Sequence, residues 1–274
     1  MSRAGRAVGL ELPVVAGRRA SADDAARAGG YLEHSSSPLV SLVFLAPLIL
    51  VYELGTRTDG PPVPGAAAAS PQHVIAFSLL QQFFALFGAS GKSLPALAVV
   101  GVLLAWHIAR QDRWRVRWPT LAGMAVESSL LSVPLLALSV LLAQLLRFAP
   151  LAAAHAHPSL GISRLPTDDL LILCLGAGIY EELVFRLILL TVLTLLVKDL
   201  LQFPPRAATL LVVFASAVIF SGYHYLGPET FQVRTFAFRS LAGIYFGVLF
   251  LTRGFGVTAA THAAYDVLVL LILP

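Results

Sequence analysis

The chain has 274 residues, 57% of them hydrophobic and only 12% charged, with a formal net charge of +4 and a mean hydropathy of +0.80. A soluble domain carries about 25% charged residues, so the composition excludes a water-soluble globular protein and is that of an integral membrane protein. The single cysteine, Cys174, excludes an intrachain disulfide.

Residues 1–37 form a polar tail containing Arg3, Arg6, Arg18, Arg19 and Arg27, too polar to hold the apolar core of a secretory signal. A helix needs about 20 mostly apolar residues to cross a bilayer. Such runs lie at 38–54, 94–110, 121–146, 169–197, 207–224, 236–252 and 256–273. The run at 73–88 is short and carries Gln81 and Gln82 at its middle. The segments between runs are polar or turn-rich, such as "TRTDGPPVPG" and "HAHPSLGISRLPTDD". The expected fold is therefore all-α, a polytopic bundle of about seven or eight transmembrane helices.

Arg110, Arg113, Arg115 and Arg117 form a second basic cluster with Trp106, Trp114 and Trp118 around it. Because the cluster abuts an apolar run, it reads as a membrane edge with an aromatic belt, and no nucleic-acid partner is expected. With the N-terminus inside and 73–88 not spanning, this loop lies inside with the tail, Lys198 and Arg206. If 73–88 spans, the loop flips outside. The Lys and Arg count favours the first arrangement. The expected location is a plasma (inner) membrane, multi-pass, with a cytoplasmic N-terminus and lipid as its immediate partner.

Each charged group at membrane depth costs about 2.5–3.5 kcal/mol on insertion scales and persists when paired or facing water. Glu53 lies at the end of the first run and is expected to snorkel to the interface. Glu127 lies early in the third run and reads the same way. His107 lies three residues from Arg110, near an interface. His155 and His157 sit in a loop of small residues and read as solvated.

The last four runs differ. Glu181 and Glu182 lie about twelve residues into theirs, and Arg186 follows Glu182 by four, so these two share a helix face and form an ion pair. Glu181 is rotated about 100° away and needs a partner from another helix or from water, which suits a general acid or base. The next run ends in "FSGYH", with Phe220 and His224 four apart. The last contains "HAAYD", with His262 and Asp266 four apart. Together they read as one converging site. Two imidazoles and a carboxylate (His224, His262 and Glu181) form a ligand set for Zn²⁺ with a water in the fourth position. Without metal, Glu181 and His224 deprotonate a water while His262 and Asp266 stabilise the oxyanion. Either version points to hydrolysis of an amide within the membrane.

"EELVFR", "FSGYH" and "HAAYD" resemble the three ordered motifs of the CAAX prenyl endopeptidase and bacteriocin-processing (CPBP, or ABI) intramembrane proteases. The resemblance covers about residues 165–274, marking a catalytic core of four transmembrane helices after N-terminal helices at 38–164. It implies an intramembrane endopeptidase acting on a membrane-associated protein or peptide. In that reading Glu181 activates water, Glu182 and Arg186 support it, His224 pairs with Glu181, and His262 with Asp266 completes the site. Leu187 follows Arg186 where the family often has Gly, and Asp266 stands where the eukaryotic enzymes favour Asn. The depths are also uneven, with His224 near the end of its run and His262 about six residues into the last. The rival readings are a non-catalytic scaffold or immunity-type protein that keeps the motifs as a polar core, and an ion-coupled transporter.

Overall fold

A computed structural model describes residues 30–56, 74–145, 167–227 and 229–272. His155 and His157 lie outside them. Among the described residues every regular element is helical, as the uninterrupted apolar runs require. Helix α1, Tyr31–Ser35, precedes α2, Pro38–Gly55, which Ser37 caps by accepting from the Val40 amide. Then come α3, Ile75–Leu86, α4, Leu94–Arg110, and α5, Trp118–Leu145. α3 has 12 residues, about 18 Å of axis, too short to cross the hydrocarbon core. It is held by Phe77 and Leu80, which are buried.

A further helical run, α6, covers 167–200. Within it, Ala177–Glu181 and Leu183–Leu189 are π-helical. Wider turns of this kind recur at functional positions. The Phe185 carbonyl, which accepts from the Leu190 amide within the helix, also accepts from the Ser216 hydroxyl on the neighbouring helix. That neighbour is α7, Pro205–Tyr223, which ends in a 3-10 turn, His224–Leu226.

The last element, α8, is Val233–Ile272, and at Gly254 its backbone leaves helical geometry, with φ 78° and ψ −179°. Phe246 and His262 stand eight residues to either side of Gly254, and their rings stack with centroids 4.6 Å apart. In a straight helix they would lie about 24 Å apart. Gly254 therefore folds α8 back into a hairpin of two arms, 233–253 and 255–272, matching the two runs expected there. Its positive φ favours glycine, and an added Cβ would also meet the Ser36 backbone at 3.2 Å.

Pro38–Gly55, Trp118–Leu142, Pro205–Leu226 and the hairpin are long and apolar enough to cross a membrane. The chain is an all-α polytopic integral membrane protein.

Two expectations are corrected. Glu53 does not snorkel. It is 9% exposed, and the Tyr180 hydroxyl donates to it at 3.4 Å, because the end of α2 is covered by α6. Glu127 is not spent on the interface either. Its carboxylate pairs with the Arg253 guanidinium through Nε and, at 2.7 Å, through Nη2. It also accepts from Tyr31 at 2.5 Å. Tyr31 belongs to α1, so the end of the expected tail is a packed helix. His107 is fully buried, edge-on to Trp114.

Candidate active site

α6 supplies two adjacent carboxylates whose surroundings separate them completely. Glu182 is fully buried. Its Oε2 lies 3.1 Å from Arg186 Nε, the i,i+4 pair expected from the spacing. Its Oε1 accepts from His262 Nδ1 at 2.7 Å. The Arg186 guanidinium sits 4.2 Å over the Phe220 ring and 5.3 Å from that of Phe246, so the cation is enclosed by aromatic faces. Arg186 and Glu182 thus form a neutral buried post that fixes the orientation of the His262 ring.

Glu181 draws its partners from other helices. Tyr223 donates to its Oε1 at 2.6 Å. Its Oε2 lies 3.9 Å from His224 Nε2 and 3.9 Å from His262 Nε2. His224 Nδ1 donates to the Phe220 carbonyl at 2.8 Å, so in both imidazoles Nδ1 is committed and Nε2 faces Glu181. Asp266 Oδ2 lies 3.6 Å from His262 Nε2. Glu181, Phe220, His224, His262 and Asp266 share the wall of a cavity of about 60 Å³, enough for water. Glu182 and Arg186 lie behind that wall. Every residue singled out from the three motifs is therefore in this site or directly behind it.

The two histidines become level because α7 ends inside the bundle, leaving His224 8% exposed, and because the hairpin returns His262 beside Phe246. The return is tight: a Cβ on Gly178 would lie 2.6 Å from the Ala259 carbonyl and 2.7 Å from Ala263. Small residues at such crossings let membrane helices approach closely.

Tyr223 and Arg239 escaped the sequence reading. Tyr223 stands inside "FSGYH", directly before His224, where a tyrosine near a helix end passes for an interfacial aromatic. Arg239 lines the same cavity from the first arm of α8.

Zinc held tetrahedrally by nitrogen and oxygen at about 2.0–2.1 Å sets neighbouring donors about 3.3–3.4 Å apart. The 3.9 Å gaps here are wider, and among the described residues no group of three His, Cys, Asp or Glu side chains has metal-binding geometry. The same gaps suit a water hydrogen-bonded to all three groups.

Residues 164–268 match the family model described as type II CAAX prenyl endopeptidase Rce1-like. No curated protein and no solved structure matches. The matched segment contains all three motifs, which bears out the resemblance read from them.

Proposed function

We propose that the protein is an intramembrane endopeptidase in which Glu181 activates the attacking water, a reading supported by the match of residues 164–268 to the family model described as type II CAAX prenyl endopeptidase Rce1-like. The observation that carries this reading is the asymmetry of Glu181. One oxygen is tied to Tyr223 at 2.6 Å, while the other faces two imidazole nitrogens at 3.9 Å across a water-sized gap.

A water held by Oε2 gives its proton to Glu181 as its oxygen bonds to the carbonyl carbon of the substrate amide. The resulting oxyanion is stabilised by His262, protonated at Nε2 and paired by Glu182 at 2.7 Å and Asp266 at 3.6 Å. His224, with Nδ1 committed to Phe220, keeps its Nε2 lone pair toward the water. When the C–N bond breaks, the proton on Glu181 passes to the departing nitrogen. One water is consumed, and one carboxyl and one amine end are formed. No step runs through a metal. The substrate is a membrane-associated protein or peptide, whose scissile bond reaches a site enclosed by spanning helices.

The test is cleavage by the full chain in phosphatidylcholine liposomes. A membrane-anchored reporter ending in farnesyl-cysteine-Val-Ile-Ala is supplied, and products are weighed by mass spectrometry. Products differing from the reporter by one added water are expected with wild type and absent with Glu181→Ala. Intact reporter in every sample, with folded protein, overturns the reading.

A further inference from the structure

Within the cavity wall of the described residues, Arg239 is the only Arg or Lys. The first arm of α8 places Arg239, Ala242 and Phe246 on one face, at spacings of three and four, and all three line that wall. The Arg239 Nη1 group donates to Glu229 Oε1 at 2.8 Å, with the two side chains only 8% and 6% exposed. The Tyr225 ring lies 5.9 Å from the guanidinium carbon. Glu229 is in the connection between the His224 turn and α8 and does not itself line the cavity. A buried guanidinium is therefore presented to the reaction site while a carboxylate of the adjoining connection holds it from the side.

We propose that Arg239 receives the free C-terminal carboxylate of the substrate, and that Glu229 occupies its place until the substrate arrives. The inference rests on the protease reading above and adds a specificity residue to it. The exchange replaces one carboxylate by another, so the buried cation is never left unpaired, which is the costly alternative. The fork of a guanidinium matches a carboxylate in either state.

Distance agrees. Arg239 and Phe246 are seven residues apart, about 10 Å of helix axis, and Phe246 marks the level of His262, on which it stacks at 4.6 Å. Three extended residues span about 10 Å. A peptide whose scissile bond lies at the level of Phe246 and His262 reaches the level of Arg239 when three extended residues follow that bond, the length of the segment after the cysteine in a C-a-a-X end.

The test compares two reporters in liposomes, farnesyl-cysteine-Val-Ile-Ala as the free acid and as the carboxamide. Wild type is expected to favour the acid about ten- to hundredfold in kcat/KM, mainly through KM, as the loss of a charge-assisted bond implies. In Arg239→Gln the acid-to-amide ratio falls to near one, and Arg239→Lys restores part of it. Glu229→Gln, which weakens the competing carboxylate, lowers KM for the acid and leaves that for the amide in place. Equal use of acid and amide by wild type, or an unchanged ratio in Arg239→Gln, overturns the proposal. Should Arg239→Gln not fold, the wild-type ratio and the Glu229→Gln KM decide it. Should neither reporter be cleaved, the protease reading fails separately. Thermal shifts of Glu181→Gln with each peptide then test Arg239, and equal shifts refute it.

Discussion

Tyr223 donates its hydroxyl to Oε1 of Glu181 at 2.6 Å, and this single bond decides which oxygen of that carboxylate is left for the imidazoles. The two groups come from different helices and are 42 residues apart in sequence. The orientation of Glu181 is thus set by tertiary packing rather than by its own helix.

Removing that donor tests the orientation. Tyr223→Phe keeps the ring, which packs on Phe185 with centroids 4.7 Å apart. A hydrogen bond to a charged group contributes about 1.5–3 kcal/mol. The variant should lose about ten- to hundredfold in kcat with little change in KM. Steady-state cleavage of the reporter checks it, and a change confined to KM would point instead to a role in binding.

Gly178→Ala tests the helix crossing that brings His262 to Glu181. Its Cβ would stand 2.6–2.7 Å from Ala259 and Ala263, and overpacking of this kind costs about 1–3 kcal/mol. The expected outcome is a lower unfolding temperature together with lost cleavage. Gly101→Ala is the control: nothing lies within 4 Å of its added Cβ, and an alanine inside α4 should be neutral or slightly stabilising. Equal stability of the two variants would refute the close approach.

The Glu127–Arg253 pair clamps the chain one residue before the Gly254 reversal, with side chains 22% and 10% exposed. Arg253 also donates to Ser35 Oγ at 2.9 Å. Arg253→Met alone leaves Glu127 without a cation beside its Tyr31 donor, and Glu127→Met alone leaves a largely buried cation without a carboxylate beside Ser35. Each should destabilise by about 2–4 kcal/mol. The double variant should recover much of that loss, because two apolar groups replace the pair without leaving a charge unpaired. Thermal unfolding of the four proteins completes the cycle, and additive losses would mean the two residues act independently.

How much of this was legible in the sequence follows from the range of each interaction. The spans were readable because bilayer thickness imposes long apolar runs, and the π segments of α6 did not disturb that pattern. Glu182 with Arg186 was readable because an i,i+4 pair needs only helical spacing. The levels of His224 and His262 were not readable. They depend on how far α7 is recessed and on the reversal at Gly254, and neither leaves a periodic signal. Glu53 and Glu127 were read as snorkelling groups because a carboxylate near the end of an apolar run looks the same whether it meets water or a partner from a distant helix. Arg239 was hidden similarly: four residues into its run it resembles an interfacial anchor, and its partner Glu229 lies across a turn.

The 3.9 Å gaps around Glu181 predict a reaction independent of bound zinc. Elemental analysis of the detergent-purified protein should find no stoichiometric metal, and treatment with a chelator should leave reporter cleavage intact. About one zinc per chain, lost in His224→Ala/His262→Ala together with activity, would show that these side chains close around an ion.

The most direct test of the central claim is the cleavage rate of Glu181→Gln in liposomes, measured beside its thermal unfolding. Glutamine keeps the shape and can still accept from Tyr223, but it cannot take a proton from water. A general base contributes about 10²–10⁴-fold, so the account predicts a loss of that size in kcat at an unfolding temperature near that of wild type. Cleavage within tenfold of wild type would contradict it and remove Glu181 from the chemistry.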